Sequence, residues 1–223
     1  MYRWDTHVHT SEVSQCGNIK AQDGVRLYKE AGYSGIVITD HYYSGFFQKL
    51  PDMTWEEKIE QYLQGYKKAL AEGINLGLTV LLGIEIRFTE NPNDYLVFGM
   101  TEEFLLANPE GYTLGLKDFK KLIDEEDMLL FQAHPFRSGM VVADPKELDG
   151  VEIYNGNARH NSHNDKALAF ARENGLLMSS GSDFHETEDL SRGGIIFTQE
   201  IRTNHDFLQA LKGSEKKEFV AAK

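Results

Sequence analysis

The sequence is poor in several things, and each shortage excludes a class of protein. It holds one cysteine, Cys16, so no internal disulfide framework is possible. It has five prolines and no biased or repetitive stretch, which excludes collagen-like and low-complexity chains. No apolar run approaches the ~20 residues that a spanning helix needs. The first residues, Met1-Tyr-Arg-Trp-Asp-Thr-His, lack the apolar segment of a secretory leader, so a cytoplasmic location and no membrane partner are expected. Basic residues are also scarce, 23 against 35 acidic ones, for a net charge of −12. Such a surface repels polyanions, so long nucleic acid is not an expected partner. A small anionic substrate remains compatible if bound metal ions reverse the sign locally.

What is present is a 223-residue chain, 41% hydrophobic, long enough for one domain with a sizeable core, and residues 1–223 are read as a single domain. Short apolar runs alternate with segments of helical period. Strands are expected at 2–9, 35–39, 79–88, 95–100, 128–133, 150–154, 177–180 and 195–198. Near-continuous runs such as Gly-Ile-Val-Ile-Thr suit strands buried on both faces of a parallel sheet. Helices are expected at 25–31, 55–72, 116–124, 164–174 and 206–212. Thr54 with Glu57 gives a capping-box start to the second of these. Alternation of this kind predicts an α/β protein, either an open doubly wound sheet or a barrel.

Metal-ligand side chains fall at the ends of the expected strands. The first ends Asp5-Thr6-His7-Val8-His9, where strand alternation puts both imidazoles on one face. Others carry Asp40-His41, Glu85, His134, and Asp183-Phe184-His185. Parallel strands in a barrel bring such ends to one mouth. Seven candidates (His7, His9, His41, Glu85, His134, Asp183 and His185) exceed the needs of one tetrahedral ion, so two or three divalent ions are expected. Nitrogen and carboxylate donors suit zinc, manganese or iron. A lone histidine is usually an ordinary core residue, but a carboxylate such as Glu85 inside an apolar strand needs a partner.

These motifs resemble the PHP family, named for its polymerase and histidinol phosphatase members. The residues that carry the likeness are Asp-Thr-His-Val-His-Thr at 5–10, Ile-Thr-Asp-His at 38–41, Gly-Ile-Glu at 83–85, Ala-His-Pro at 133–135, Val-Glu-Ile-Tyr-Asn at 151–155 and Gly-Ser-Asp-Phe-His at 181–185. The resemblance implies a distorted seven-stranded, TIM-like (β/α) barrel and metal-dependent phosphoester hydrolysis. It implies His7, His9 and Asp183 on a first ion, Glu85 bridging to a second held by His134, and His41 with His185 on a third. The loop after the first motif offers Glu12 as a further ligand, ahead of Gln15 and Cys16, because Glu12 is anionic. No histidine stands at 97–101, where the family often has one.

The expected activity is hydrolysis of a small phosphomonoester by metal-activated hydroxide. A 3′-to-5′ exonuclease or a diesterase acting on short oligonucleotides is one alternative, and a non-catalytic metal-binding module another. An amidohydrolase fits less well, because the third strand supplies Glu85 rather than a lysine. Asp40, and Asp5 with it, are expected to orient the imidazoles. Arg137 and Arg192 are the expected phosphate forks, ahead of Arg159. His160 and His163 are read as mouth or surface residues, and His205 as structural or exposed. The aromatic run 42–47 is expected to pack on the helix that begins at Trp55.

Overall fold

The computed structural model describes residues 1–213 and 217–221. Ten strands form one sheet: β1 Tyr2–Val8, β2 Gly35–Ile38, β3 His41–Tyr42, β4 Thr79–Arg87, β5 Asp94–Phe98, β6 Leu129–Gln132, β7 Gly150–Asn155, β8 Leu177–Gly181, β9 Gly193–Phe197 and β10 Glu218–Ala221. Their order is β10-β9-β1-β2-β4-β5-β6-β7-β8, with β3 paired to β4. The sheet curls until β8 meets β1. Phe184 N donates to His7 O, and His9 N to Phe184 O, each at 3.1 Å. The result is the expected α/β barrel, but with ten strands in place of seven.

β1, β2, β4, β6, β7 and β8 all run one way, so their C-terminal ends open on one mouth. β5 is antiparallel to both β4 and β6, and β9 is antiparallel to β1. The reversal of β5 sends residues 99–101 to the far end of the barrel and brings Asp94 to the mouth, opposite Arg87. A histidine at 99–101 would therefore sit at the end away from the mouth.

The helices are α1 Ala21–Glu30, α2 Ser44–Phe47, α3 Trp55–Tyr62, α4 Gln64–Leu76, α5 Glu102–Ala107, α6 Leu116–Asp124, α7 Asn164–Asn174 and α8 Asn204–Lys212. Each long helix turns an apolar face inward: Leu116, Phe119 and Ile123 on α6, and Phe207, Leu208 and Leu211 on α8. Thr54 and Glu57 form the expected capping box. The single helix expected over 55–72 is two, broken at Leu63. The break lets Tyr62 Oη donate to Asp40 O at 2.6 Å while α4 lays Gly65 against Thr10. A Cβ on Gly65 would stand 2.0 Å from Thr10 Oγ1, so only glycine permits this approach. The aromatic run packs inward as expected, Phe47 lying 5.1 Å from Trp55 between ring centroids. No helix among the described residues is long and apolar enough to cross a membrane.

Candidate metal centre

Six of the seven strand-end candidate ligands are buried at the barrel mouth, and His41 is only partly exposed. His7 and His9, two residues apart on β1, face their Nε2 atoms at 3.0 Å. Glu85 on β4 is the hub. Its Oε1 lies 3.3 Å from His7 Nε2 and 3.2 Å from His134 Nε2. Its Oε2 lies 3.4 Å from His9 Nε2 and 2.7 Å from His41 Nδ1. Asp183 Oδ1 stands 3.5 Å from both His7 and His9 Nε2. Two ligand positions, Asp183 (φ 54°) and His134 (φ 29°), lie in the left-handed region that favours glycine. Such strain persists where the surroundings over-determine it.

The hydrogen bonds behind the ligands fix which ring nitrogen faces forward. His7 Nδ1 donates to Glu152 Oε1 at 2.9 Å, and His185 Nδ1 to Asp183 O at 2.8 Å. Ser14 Oγ gives its proton to Asp40 Oδ1 at 2.7 Å, so His9 Nδ1 must donate to Ser14 Oγ at 3.1 Å. All three imidazoles thus turn Nε2 toward the centre, the nitrogen that an ion would take in place of a proton, as metal-binding histidines do. Glu85 Oε2 completes the picture, buried and 2.7 Å from His41 Nδ1. Nitrogen and carboxylate donors converging this closely fit a cation. Among the described residues, three overlapping groups have the required spacing: His7, His9 and Glu85; His9, His41 and His185; and His41, Glu85 and Asp94.

The electrostatics agree. Burial works against a charge on His7, but the carboxylates of Glu152, Asp183 and Glu85 hold its pKa well above the usual histidine value. Burial likewise opposes ionisation of Glu85 and Asp183, yet the surrounding imidazoles hold both well below the carboxylate range. His9 is the reverse case: burial, then the nearby His185 and His41, push it well down, so it stays neutral.

Asp40 lies behind these groups, buried, and touches no imidazole directly. It accepts from Thr10 N, Thr10 Oγ1 and Ser14 Oγ, each at 2.7 Å, and acts on His9 through Ser14. Asp5 stitches strand ends, accepting from His7 N at 3.2 Å and Ser182 N at 3.0 Å. Burial raises the pKa of each to about 6.

Glu12 is placed elsewhere than expected. Its Oε2 accepts from Ala21 N at 3.0 Å, capping α1 and starting that helix a turn earlier than the expected Val25, and Oε1 faces Lys68. The loop residue beside His41 and His185 is Cys16, its Sγ 3.3 Å and 3.0 Å from their Nε2 atoms. Burial raises the thiol pKa, but contact with the two rings outweighs it and lowers the value to about 6. Gln15 is exposed.

A pocket of about 320 Å³ opens over the ligands, lined among others by Arg87, Arg137, Arg159 and His160. Arg137 Nη2 donates to Asp183 Oδ2 at 2.8 Å, and its buried Nε has no partner. Arg159 forks onto Asp189, and Arg87 onto Asp94. Arg192 does not line this pocket; its Nε donates to Gly156 O at 2.8 Å. His163 precedes α7, and His205 pairs with Asp127 at the surface.

Sequence reasoning missed Glu152, Asp94 and Arg87. Glu152 carried the same signal as Glu85, a carboxylate within an apolar strand. Arg87, two residues past Glu85 on β4, shares its face by strand alternation; Asp94 needed the direction of β5, which hydrophobic pattern does not supply.

A family model for the PHP domain matches residues 5–136, and a PHP-associated model matches residues 161–215. No curated protein matches the chain in sequence. Among solved structures, a two-domain Bacteroides vulgatus protein, described as containing a predicted PHP-like metal-dependent phosphoesterase, superposes with TM-score 0.69 at 15% identity, over 99% of this chain and 64% of its own. The present chain thus spans less than two thirds of that relative. PsfC from Pseudomonas syringae gives TM-score 0.66 at 19% identity, over 100% and 93%. The lesion-specific endonuclease EndoQ from Pyrococcus furiosus gives 0.56 at 13% identity, over 98% and 57%.

Proposed function

Because this chain belongs to the PHP family, we propose that it is a metal-dependent phosphoesterase whose substrate is a small phosphomonoester. One observation carries the reading: four imidazoles converge on Glu85, with Asp183 and His185 alongside, beneath a pocket walled by three arginines. Zinc, manganese or iron suits the donors, and the three overlapping groups accommodate two or three ions. Bound there, divalent ions supply Lewis acidity, lowering the pKa of water and neutralising phosphate oxygens.

The chain's own side chains supply position. His7, His9, Glu85 and Asp183 define the floor, and their orientation is set by Glu152, by Ser14 with Asp40, and by the strained backbone at Asp183. Arg137, fixed by Asp183, lines the pocket and offers its guanidinium to a phosphate oxygen. Arg87 and Arg159, each forked onto a carboxylate, present rigid positive edges on the walls. Size and charge favour a small ester: the pocket is about 320 Å³ and the chain carries −12. That balance disfavours a long polyanion, although the endonuclease relative makes short diesters the natural second panel.

The test is phosphate release from a panel of monoesters with manganese or zinc supplied, beside a chelated sample and His9→Ala. Release abolished by both supports the phosphomonoesterase. No release from any monoester, by protein that holds its metals on elemental analysis, defeats it. Turnover of diesters alone would reassign the substrate class.

A further inference from the structure

We propose that Cys16 is a thiolate ligand of an ion held by His41 and His185. The inference rests on the metal-centre reading above and adds a donor that the anionic preference for Glu12 hides. Three observations carry it. The sulfur stands 3.0 Å from His185 Nε2 and 3.3 Å from His41 Nε2. In a tetrahedral zinc site, with Zn–S near 2.3 Å and Zn–N near 2.0–2.1 Å, neighbouring S and N ligands lie about 3.6 Å apart, so only small shifts separate the two arrangements. Second, both rings turn Nε2 to the sulfur while their other nitrogens are engaged behind: His185 Nδ1 with Asp183 O, and His41 Nδ1 beside Glu85.

Third, the buried Glu85 Oε2 stands 2.7 Å from His41 Nδ1 and 3.4 Å from His9 Nε2, a fixed anion behind these rings. His9 also joins His41 and His185 in one group of metal spacing. Glu12, the competing donor, is committed to Ala21 and Lys68. On binding, the Cys16 S–H bond breaks, a metal–sulfur bond forms, and the proton leaves to solvent. A thiolate makes this position selective for zinc over manganese, whereas the all-nitrogen-and-oxygen positions beside it discriminate less.

The experiment uses the full chain loaded with cobalt(II) and then with zinc, with ion content measured by elemental analysis. Cobalt loading should give a near-ultraviolet thiolate-to-cobalt charge-transfer band. Cys16→Ser should lose that band while retaining the visible cobalt bands of the other positions, which also shows that the variant folds. Cys16→Asp should recover the ion without the band. Because Cys16 is the only cysteine, an aromatic disulfide reagent reads it alone. Zinc should slow that reaction at least about tenfold relative to chelated protein, and His185→Ala should abolish the protection. Equal thiol reactivity with and without zinc, or no charge-transfer band, in protein shown to carry its ions, overturns the assignment. A chain that takes up no ion on elemental analysis overturns the metal centre itself, and this ligand with it.

Discussion

Glu152 Oε1 accepts from His7 Nδ1 at 2.9 Å, with neither side chain exposed to solvent. Its other oxygen accepts from His134 N at 3.0 Å and Asn155 Nδ2 at 2.9 Å. One carboxylate on β7 therefore sets a ligand from β1 and the backbone of another after β6. Glu152→Gln keeps an acceptor but loses the charge, and should weaken metal affinity about 10- to 100-fold. Competition titration against a calibrated chelator measures this; an unchanged affinity would show that Glu152 does not tune the centre.

Ser14 links Asp40 to His9 and also accepts from His41 N at 3.1 Å. Ser14→Ala should release the His9 ring from its tautomer and leave buried groups unpaired, costing about 1–3 kcal/mol of stability. Thermal unfolding of ion-free protein reads the stability, and zinc titration reads the ring. Ser14→Thr, which keeps the hydroxyl, should recover much of the zinc affinity.

Glu12 and Cys16 should separate cleanly. Glu12→Ala removes a carboxylate from the start of α1 and should cost about 0.5–2 kcal/mol, with ion content unchanged. Denaturant melts and elemental analysis together decide it. Loss of an ion from the Glu12 variant would restore it as a ligand.

Arg137 and Arg192 should also part company. Arg137→Lys keeps the charge but loses the planar guanidinium that bonds Asn155 and Asp183 through Nη2, and should lower kcat/KM about 10-fold or more. Arg192→Ala should leave kcat/KM within about twofold and cost about 0.5–1.5 kcal/mol of stability, because its Nε holds Gly156 O. Steady-state kinetics on the best ester makes the comparison.

Ion uptake should strengthen as pH rises through 6.5 and beyond. Nearby carboxylates raise the pKa of His7 and His41 despite burial, so ion-free protein carries protons there that an incoming cation must displace. His9, lowered, has none to give. The same sign applies to folding. The charged imidazoles of His7 and His41 stabilise the ion-free protein fully below pH 6.5, and that stabilisation is lost as pH rises through their raised values. Calorimetry in buffers of different ionisation enthalpy should show net proton release at pH 7; release of none would contradict the assignment.

All eight strands expected from the sequence are present, because runs such as Gly35–Ile38 and Leu129–Gln132 are buried on both faces and read as continuous apolar stretches. His7 with His9 was legible from strand alternation alone. Strand direction was not: β5 has the pattern of a parallel strand, and only its pairing shows that Asp94, at its start, faces the mouth. Loops were least legible. Charge favoured Glu12 over Cys16, and arginine at a motif edge favoured Arg192, but each choice depended on which backbone N–H or carbonyl lay nearest.

Asp183 stands near the end of the chain and His7 near its beginning, and the seam between β8 and β1 is closed there by two backbone hydrogen bonds on Phe184. An ion gripping both residues would act as a staple across nearly the whole polypeptide. Cross-links closing loops of about 100 residues remove about 4.7 kcal/mol of chain entropy from the unfolded ensemble. The centre would thereby hold the barrel shut as well as serve its chemistry, and stripping the ions would loosen the protein first along that seam.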